Sequence, residues 1–234
     1  MRELKENIGL LAFDADDTLW DCQSHFAIVE REYARILSDY GSESEVSESL
    51  FAVETDNMAL LGYGCKAFII SLIENAVAMS GGRITGGDIG RIVALGKTLL
   101  KLPGSPLPGV RATLHWLREQ GCWKMVVFTK GELLDQENKL HRSGLRDFFD
   151  DVVIVSDKTP ETYRQLCARF GCETDELLMV GNSFRSDVEP ALQVGGSAVH
   201  IPFHTEWQHE VTREYAHERL WTLRGIAELP ALLS

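Results

Sequence analysis

The stretch that most constrains the fold runs from residue 8 to residue 21 and reads IGLLAFDADDTLWD. It begins with an apolar run, Ile8 to Phe13, that is short enough for a buried strand. Asp14, Asp16 and Asp17 then follow within four positions. Because unpaired carboxylates are costly to bury, we expect them at the carboxyl end of the strand, where open α/β sheets bind their ligands.

Two interpretations of these aspartates are open from the residues alone. Asp-rich turns are common, so the segment fits a strand followed by an acidic turn. Alternatively, Asp14 and Asp16 are two residues apart, which in an extended backbone places both side chains on the same side. Two converging carboxylates require a cation or a proton between them, and a hard oxygen site of this kind suits Mg²⁺. The second interpretation predicts a magnesium site with a carboxylate nucleophile.

The composition limits the partners of the chain. Its 44% hydrophobic and 25% charged residues are ordinary for a globular protein. The formal net charge of -12 argues against nucleic acid and anionic membranes as partners, because phosphate contacts need Lys and Arg. The five cysteines contain no Cys-x-x-Cys pair, which makes a zinc site and a disulfide framework poor interpretations. Because no signal sequence or membrane helix is recognisable, we expect a cytoplasmic protein.

A long helical block follows the first strand. After Trp20, apolar residues recur at three- and four-residue spacing and predict four helices with no strong strand between them. The block is too long for an ordinary crossover between parallel strands, which needs about a dozen residues or somewhat more. We therefore expect residues 20–107 to form an inserted helical domain, and residues 1–19 and 108–234 to form the main domain.

Strands and helices alternate in the remainder of the chain. Four short apolar runs predict strands at 125–128, 152–155, 177–180 and 198–201, with a helix between consecutive strands. Alternation of this kind indicates a parallel sheet with helices on both faces. The predicted fold class is therefore α/β, with a doubly wound, Rossmann-like parallel sheet and an inserted all-helical domain.

Polar residues follow two of these strands in positions suited to phosphate. Thr129, Lys130 and Gly131 come directly after Phe128, and a hydroxyl with free backbone N–H groups at a helix start can hold phosphate oxygens. Lys158 comes shortly after the next strand. Its ammonium is a compact point charge that could pair with both a carboxylate nucleophile and a phosphate.

The strand at 177–180 is followed by a turn that offers an amide at Asn182 and a carboxylate at Asp187. The strands of a parallel sheet all end on the same edge. We therefore expect carboxylates, a hydroxyl, a lysine and an amide to lie close together at this edge of the sheet. Each of these groups alone has an ordinary explanation as a cap, a turn or a solvated charge.

The order of these sites resembles the motifs of the haloacid dehalogenase superfamily, in its phosphatase branch with a helical cap inserted after the first motif. The resemblance rests on Asp-x-Asp-x-Thr-Leu at 14–19 and on the later strand ends. It implies that Asp14 attacks phosphorus and forms an aspartyl-phosphate, and that Asp16 protonates the leaving group and then activates water. It also implies that Thr129 and Lys158 hold the phosphate, with Lys130 and Gly131 nearby.

The same resemblance implies a Mg²⁺ cofactor. Its ligands would be the Asp14 carboxylate, the Asp16 backbone carbonyl, Asp187 and Asn182. Two positions depart from the family pattern, which usually has Gly at position 17 and often has Asp at position 182. Because Asn lowers the negative charge of the site by one unit, we expect weakened magnesium affinity.

The predicted function is hydrolysis of a small phosphorylated metabolite by a magnesium-dependent phosphatase. A phosphomutase or phosphonatase of the same superfamily remains an alternative, as does a non-catalytic protein that binds a phosphorylated ligand. Asn182 favours the binding protein, whereas retention of Asp14 and Asp16 disfavours it. The histidines of residues 200–209 match no zinc spacing, and we expect a solvated loop there. The sequence predicts neither the substrate nor the oligomeric state.

Overall fold

The computed structural model describes residues 7–234, which divide into two units. The first unit comprises the described residues up to Gln23 together with Gly104–Lys130 and Gln136–Ser234, and the second comprises Ser24–Pro103 and Gly131–Asp135. The domain boundaries expected from the sequence, after residues 19 and 107, remain predictions.

A parallel sheet forms the centre of the first unit. Its strands are β1 (Leu10–Phe13), β2 (Lys124–Lys130), β3 (Asp151–Val155), β4 (Leu177–Gly181), β5 (Ser197–His200) and β6 (Leu220–Thr222). They lie in the order β3-β2-β1-β4-β5-β6, and each neighbouring pair is parallel. The predicted α/β class with a parallel sheet is confirmed.

The helices fall between the strands in the predicted alternation. They are α1 (Gln23–Ile36), α2 (Glu43–Leu61), α3 (Cys65–Met79), α4 (Gly86–Leu99), α5 (Val110–Gln120), α6 (Leu133–Ser143), α7 (Pro160–Phe170), α8 (Glu189–Gln193) and α9 (Leu229–Leu232). Glycine in the left-handed conformation follows α5 at Gly121 and α7 at Gly171, where φ is +67° and +68°. This is the common way for a helix to end, because glycine has no Cβ to strain.

Strand β1 is buried on both faces because hydrophobic side chains cover each side of the sheet. Leu11 and Phe13 belong to one apolar cluster, which includes residues of α5 and α9. Leu10 and Ala12 belong to a second cluster, which includes residues of α7. Consecutive residues of a strand point to opposite faces, so the unbroken apolar run of β1 reflects burial on both sides.

The second unit is built from helices α1–α4, which confirms the predicted all-helical insertion after β1. Its core contains a buried polar chain: the Asn75 side-chain amide donates to the Tyr33 hydroxyl at 2.9 Å, and that hydroxyl donates to the Leu72 carbonyl at 2.9 Å. Helix α2 begins with a capping box between Ser42 and Glu45. Among residues 7–234, no helix has the length and apolar character that a membrane crossing requires.

Candidate active site

The Asp14 carboxylate lies at the carboxyl end of the central strand β1. Its backbone N–H donates to the Val180 carbonyl at 2.9 Å, which continues the pairing of β1 with β4 one residue past Phe13. The residue is 8% exposed. Asp14 is therefore fixed by the sheet ladder while its side chain faces the edge where the strands end.

Lys158 connects Asp14 with Asp187. Its ammonium donates to Asp14 Oδ1 at 2.5 Å and to Asp187 Oδ1 at 2.6 Å. Both Lys158 and Asp187 are buried, with 4% and 1% of their surfaces exposed. The structure thus brings together three residues that are far apart in the sequence, and each was expected at this edge from its position after a strand.

Burial and the opposite charge of the partner shift the pKa values of Asp14 and Lys158 in opposite directions. Burial raises the pKa of Asp14 to about 7, Lys158 opposes this rise, and repulsion from Asp187 adds to it. For Lys158, burial lowers the pKa, but the Asp14 and Asp187 carboxylates outweigh it and raise the pKa above its usual value. Lys158 is therefore held as an ammonium ion, as the neutralisation of two carboxylates requires.

Three oxygen-bearing groups converge beside Asp14. One terminal atom of the Asn182 amide lies 3.1 Å from the Asp16 backbone oxygen and 3.2 Å from Asp14 Oδ2. With its nitrogen at this position, Asn182 would donate to both oxygens. With its oxygen there, it accepts a hydrogen bond from the Thr18 hydroxyl at 3.1 Å and faces the oxygens of Asp14 and Asp16, an arrangement that a cation would stabilise.

The spacing of these atoms fits Mg²⁺. Magnesium binds oxygen at about 2.0–2.1 Å in octahedral geometry, so adjacent ligand oxygens lie about 3.0 Å apart. The distances from the Asn182 amide to the Asp16 carbonyl and to Asp14 Oδ2, 3.1 and 3.2 Å, are close to this spacing, and the Asp187 carboxylate lies across Lys158 from Asp14. The donor set is made of oxygens alone, which matches the preference of this hard cation.

A tight turn after β4 orients Asp187. The Ser183 backbone N–H donates to Asp187 Oδ2 at 3.0 Å, and residues Phe184–Val188 form a π-helical turn that leads into α8. A Cβ at Gly181 would collide with the Asp187 carboxylate. Glycine is required at Gly181 because the carboxylate occupies the space where a side chain would begin.

Strand β2 extends two residues beyond the predicted end at Phe128, so Thr129 and Lys130 belong to it, and the three predicted phosphate-binding residues have different environments. Thr129 is 2% exposed and its hydroxyl donates weakly to the Lys130 carbonyl at 3.4 Å. The Lys130 ammonium forms an ion pair with Glu210 and donates to Ser186 Oγ at 2.8 Å. Gly131 has a φ of +127°, a conformation that favours glycine.

The Asp16 side chain is held by three donors that the sequence did not reveal. Trp20 Nε1 donates to Oδ1 at 2.7 Å, and Gln136 Nε2 donates to Oδ2 at 2.8 Å. The Lys139 ammonium donates to both oxygens at 2.8 Å. Burial raises the pKa of Asp16, but the Lys139 charge and these hydrogen bonds outweigh it and lower the pKa below its usual value.

Comparison with known proteins identifies the family. The family model for haloacid dehalogenase-like hydrolases matches residues 8–195, which is most of the chain. The chain belongs to the haloacid dehalogenase-like hydrolases. This confirms the predicted superfamily and the prediction of a hydrolytic enzyme.

Three related proteins agree with the family model. A haloacid dehalogenase-like hydrolase of known structure from Xanthomonas campestris is 35% identical, with a TM-score of 0.86 over 96% of this chain and 90% of that chain. The glyceraldehyde 3-phosphate phosphatase of Methanothermobacter thermautotrophicus is 26% identical over 200 residues, which are 80% of this chain and 82% of the relative. The pyrimidine 5'-nucleotidase YjjG of Escherichia coli is 29% identical over 135 residues, 55% of this chain and 57% of the relative. The family's phosphatases are thus among the relatives of this chain.

Asp17 has a structural explanation at the position where this family usually has glycine. Its φ is +62°, in the left-handed region that Asp tolerates better than most residues. The Asp17 carboxylate accepts hydrogen bonds from the backbone N–H groups of Cys22 at 2.8 Å and Gln23 at 2.9 Å. These bonds satisfy donors at the start of α1 and offset the strained backbone.

A buried acidic residue, Glu210, supports the turn that follows β4. Its carboxylate accepts hydrogen bonds from Ser183 Oγ and from Ser186 Oγ, the latter at 2.9 Å, and pairs with Lys130. Burial raises the pKa of Glu210, but the Lys130 charge and these hydrogen bonds outweigh it and lower the pKa. Sequence reasoning missed Glu210 because it lies in an irregular segment with no recognisable motif.

The prediction of a solvated loop at 200–209 is wrong for His200. This residue ends β5, is 2% exposed, and its Nε2 lies 2.9 Å from the Asn182 carbonyl oxygen. Its ring also makes an edge contact with Phe184. His200 therefore packs behind the turn that carries Asn182, whereas His204 is exposed.

Replacing Glu210 with Gln tests the role of this carboxylate in the first unit. At pH 7 we expect E210Q to lose about 3 kcal/mol of unfolding free energy, because the charge opposite Lys130 is removed from a buried pair. The loss should shrink as the pH falls from the unfolded-state Glu pKa of 4.5 toward the lowered native pKa, since the unfolded carboxylate takes up a proton first and the native one only at lower pH. Urea denaturation at pH 7 and near pH 3 measures both effects.

The matched control is Glu206→Gln, which makes the same change at an exposed position of the same segment. It should alter the unfolding free energy by no more than about 0.5 kcal/mol. Equal stability of E210Q and E206Q at pH 7 would show that Glu210 does not hold the turn.

Proposed function

We propose that the protein is a magnesium-dependent phosphatase that hydrolyses a small phosphorylated metabolite through an aspartyl-phosphate at Asp14. The observation that carries this proposal is the contact of Lys158 with both Asp14 and Asp187, beside the oxygens of Asp16 and Asn182. A lysine and a cation site on either side of one carboxylate are what attack on an anionic phosphate ester requires.

The relatives support a small phosphorylated substrate. Two of them are a glyceraldehyde 3-phosphate phosphatase and a pyrimidine 5'-nucleotidase, and the substrates of both are small phosphate esters. The chemistry that these enzymes share is hydrolysis of a phosphate monoester.

In the first step an Asp14 carboxylate oxygen attacks phosphorus, and the bond from phosphorus to the leaving oxygen breaks. Lys158 keeps Asp14 close to Asp187 and offsets the repulsion between the carboxylate and the phosphate. Asp16 must carry a proton when the ester is bound, although Lys139 lowers its pKa in the structure; it gives this proton to the leaving oxygen. The hydroxyl of Thr129 and the backbone N–H groups after β2 would hold the phosphate oxygens that do not react.

In the second step water attacks the aspartyl-phosphate at phosphorus, and the Asp14 oxygen leaves as a carboxylate. Asp16 takes a proton from this water, which restores the starting state. Asp14, the Asp16 carbonyl, Asn182 and Asp187 would hold Mg²⁺. When bound, Mg²⁺ would supply positive charge to the phosphate oxygens and to the nucleophile, which would favour the ionised form of Asp14.

Phosphate release from 4-nitrophenyl phosphate tests this function directly. We expect turnover with Mg²⁺, and loss of turnover with a chelator or in Asp14→Asn, because both the cation and the nucleophile are required. The decrease for D14N should be at least about 10³-fold. The matched control is Asp147→Asn, the same change at an exposed position, which should keep wild-type activity.

Full activity of D14N would contradict the proposed nucleophile. No turnover by the folded wild-type protein would contradict the phosphatase. It would then favour a phosphomutase, which returns the phosphoryl group to its substrate, or a protein that only binds a phosphorylated ligand.

The charge at position 182 determines the affinity for magnesium. We expect Asn182→Asp to lower the Mg²⁺ dissociation constant about tenfold, because a carboxylate adds one negative charge to the ligand set. Calorimetric titration of the protein with MgCl₂, without substrate, measures the constant independently of activity. The control Asn138→Asp adds the same charge at an exposed position of α6. A dissociation constant for N182D equal to that of N138D and the wild type would contradict Asn182 as a ligand.

A further inference from the structure

The Asp16 carboxylate accepts hydrogen bonds from three neighbouring side chains. A carboxylate offers about four acceptor positions. Trp20 and Gln136 each occupy one, and Lys139 contacts both oxygens. The orientation of Asp16 is therefore set by its neighbours in the structure and not by free rotation of its own side chain.

Two of these donors come from one face of α6. Gln136 and Lys139 are three residues apart, a spacing that places them side by side on a helix. Both are buried, with 3% and 2% exposure. Gln136 also donates to the Lys130 carbonyl at 2.7 Å, so its amide links Asp16 to the end of β2.

The backbone of α6 is held close to the segment that enters α5. A Cβ at Gly104, where φ is +61°, would lie 2.7 Å from the Lys139 carbonyl oxygen. Only glycine permits this approach without strain. Close packing thus holds helix α6 in position. The Lys139 ammonium therefore contacts Asp16 from a helix whose backbone is fixed.

A stabilising role alone does not account for this arrangement. Moving the Lys139 ammonium from water into its buried position costs desolvation, its partner Asp16 keeps 27% of its side chain exposed, and an apolar residue of similar volume is often equally stable at such a position. A carboxylate that must deliver a proton to one leaving oxygen does, however, require a defined orientation.

We propose that Lys139 and Gln136 are positioning residues that orient the Asp16 carboxylate for proton transfer to the leaving group. The proposal rests on the proposed phosphatase function, in which Asp16 is the acid and base. Lys139 contacts both oxygens of Asp16. It can therefore keep one of these bonds while the other oxygen meets the substrate.

The dependence of the rate on the leaving group distinguishes this role from a structural one. Phenyl phosphate and 4-nitrophenyl phosphate have similar shapes, but phenoxide is the poorer leaving group and needs protonation more. The kcat/KM value includes the steps up to formation of the aspartyl-phosphate and excludes its hydrolysis. A defect in the acid should therefore lower kcat/KM mainly for phenyl phosphate.

For Lys139→Met we expect kcat/KM to fall about 100-fold with phenyl phosphate and tenfold or less with 4-nitrophenyl phosphate, since general acids contribute about 10²–10⁴-fold. Asp16→Asn should show the same selectivity. If Lys139 acts through Asp16, the double variant should lose little more than Asp16→Asn alone. The control Lys124→Met removes an exposed lysine of β2 and should leave both values unchanged.

Gln136→Ala provides a second test if K139M fails to fold. It leaves every charge in place and should give the same preference for the better leaving group, with a smaller decrease. An equal decrease for both esters, or no decrease, in folded K139M or Q136A would overturn the positioning role while leaving the phosphatase intact. Absence of Asp14-dependent turnover in the wild type would instead overturn the proposed function, and this inference with it.

Discussion

Lys158 holds together the carboxylates of Asp14 and Asp187, and the remainder of the site depends on this contact. Asp14 follows strand β1, and Asp187 lies in the turn after the neighbouring strand β4. Burying both carboxylates therefore brings two negative charges together. Contacts of 2.5 and 2.6 Å to one buried ammonium compensate this repulsion. In the proposed reaction the same ammonium would also offset the negative charge of the phosphate, so one interaction would serve both burial and catalysis.

The two aspartates of the first motif have separate partners. Asp14 is paired with Lys158, whereas Asp16 is paired with Lys139. Their pKa values move in opposite directions from the usual value: that of Asp14 is raised, chiefly by burial, and that of Asp16 is lowered by Lys139 and its hydrogen bonds despite burial. The proposed roles need the opposite protonation states, an ionised Asp14 as nucleophile and a protonated Asp16 as acid, so the charges of bound Mg²⁺ and phosphate would have to reverse these shifts.

The sequence predicted the parts of the site that follow strand ends. Asp14 and Lys158 are recognisable because an apolar run stops at a polar residue and parallel strands end on one edge. The partners of Asp16 were not recognisable, because the rotation of α6 and the rotamer of Trp20 depend on packing. Glu210 was missed for a related reason: its contacts with the turn after β4 come from a segment without periodicity.

The most direct test of this account is detection of a phosphoryl group on Asp14. Wild-type protein would be quenched in acid during turnover of 4-nitrophenyl phosphate with Mg²⁺, digested, and analysed by mass spectrometry. One added phosphoryl group is expected on the peptide that contains Asp14, and none in Asp14→Asn. If phosphate is released while Asp14 stays unmodified in the wild type, and D14N turns over at the same rate, then covalent catalysis at Asp14 is wrong.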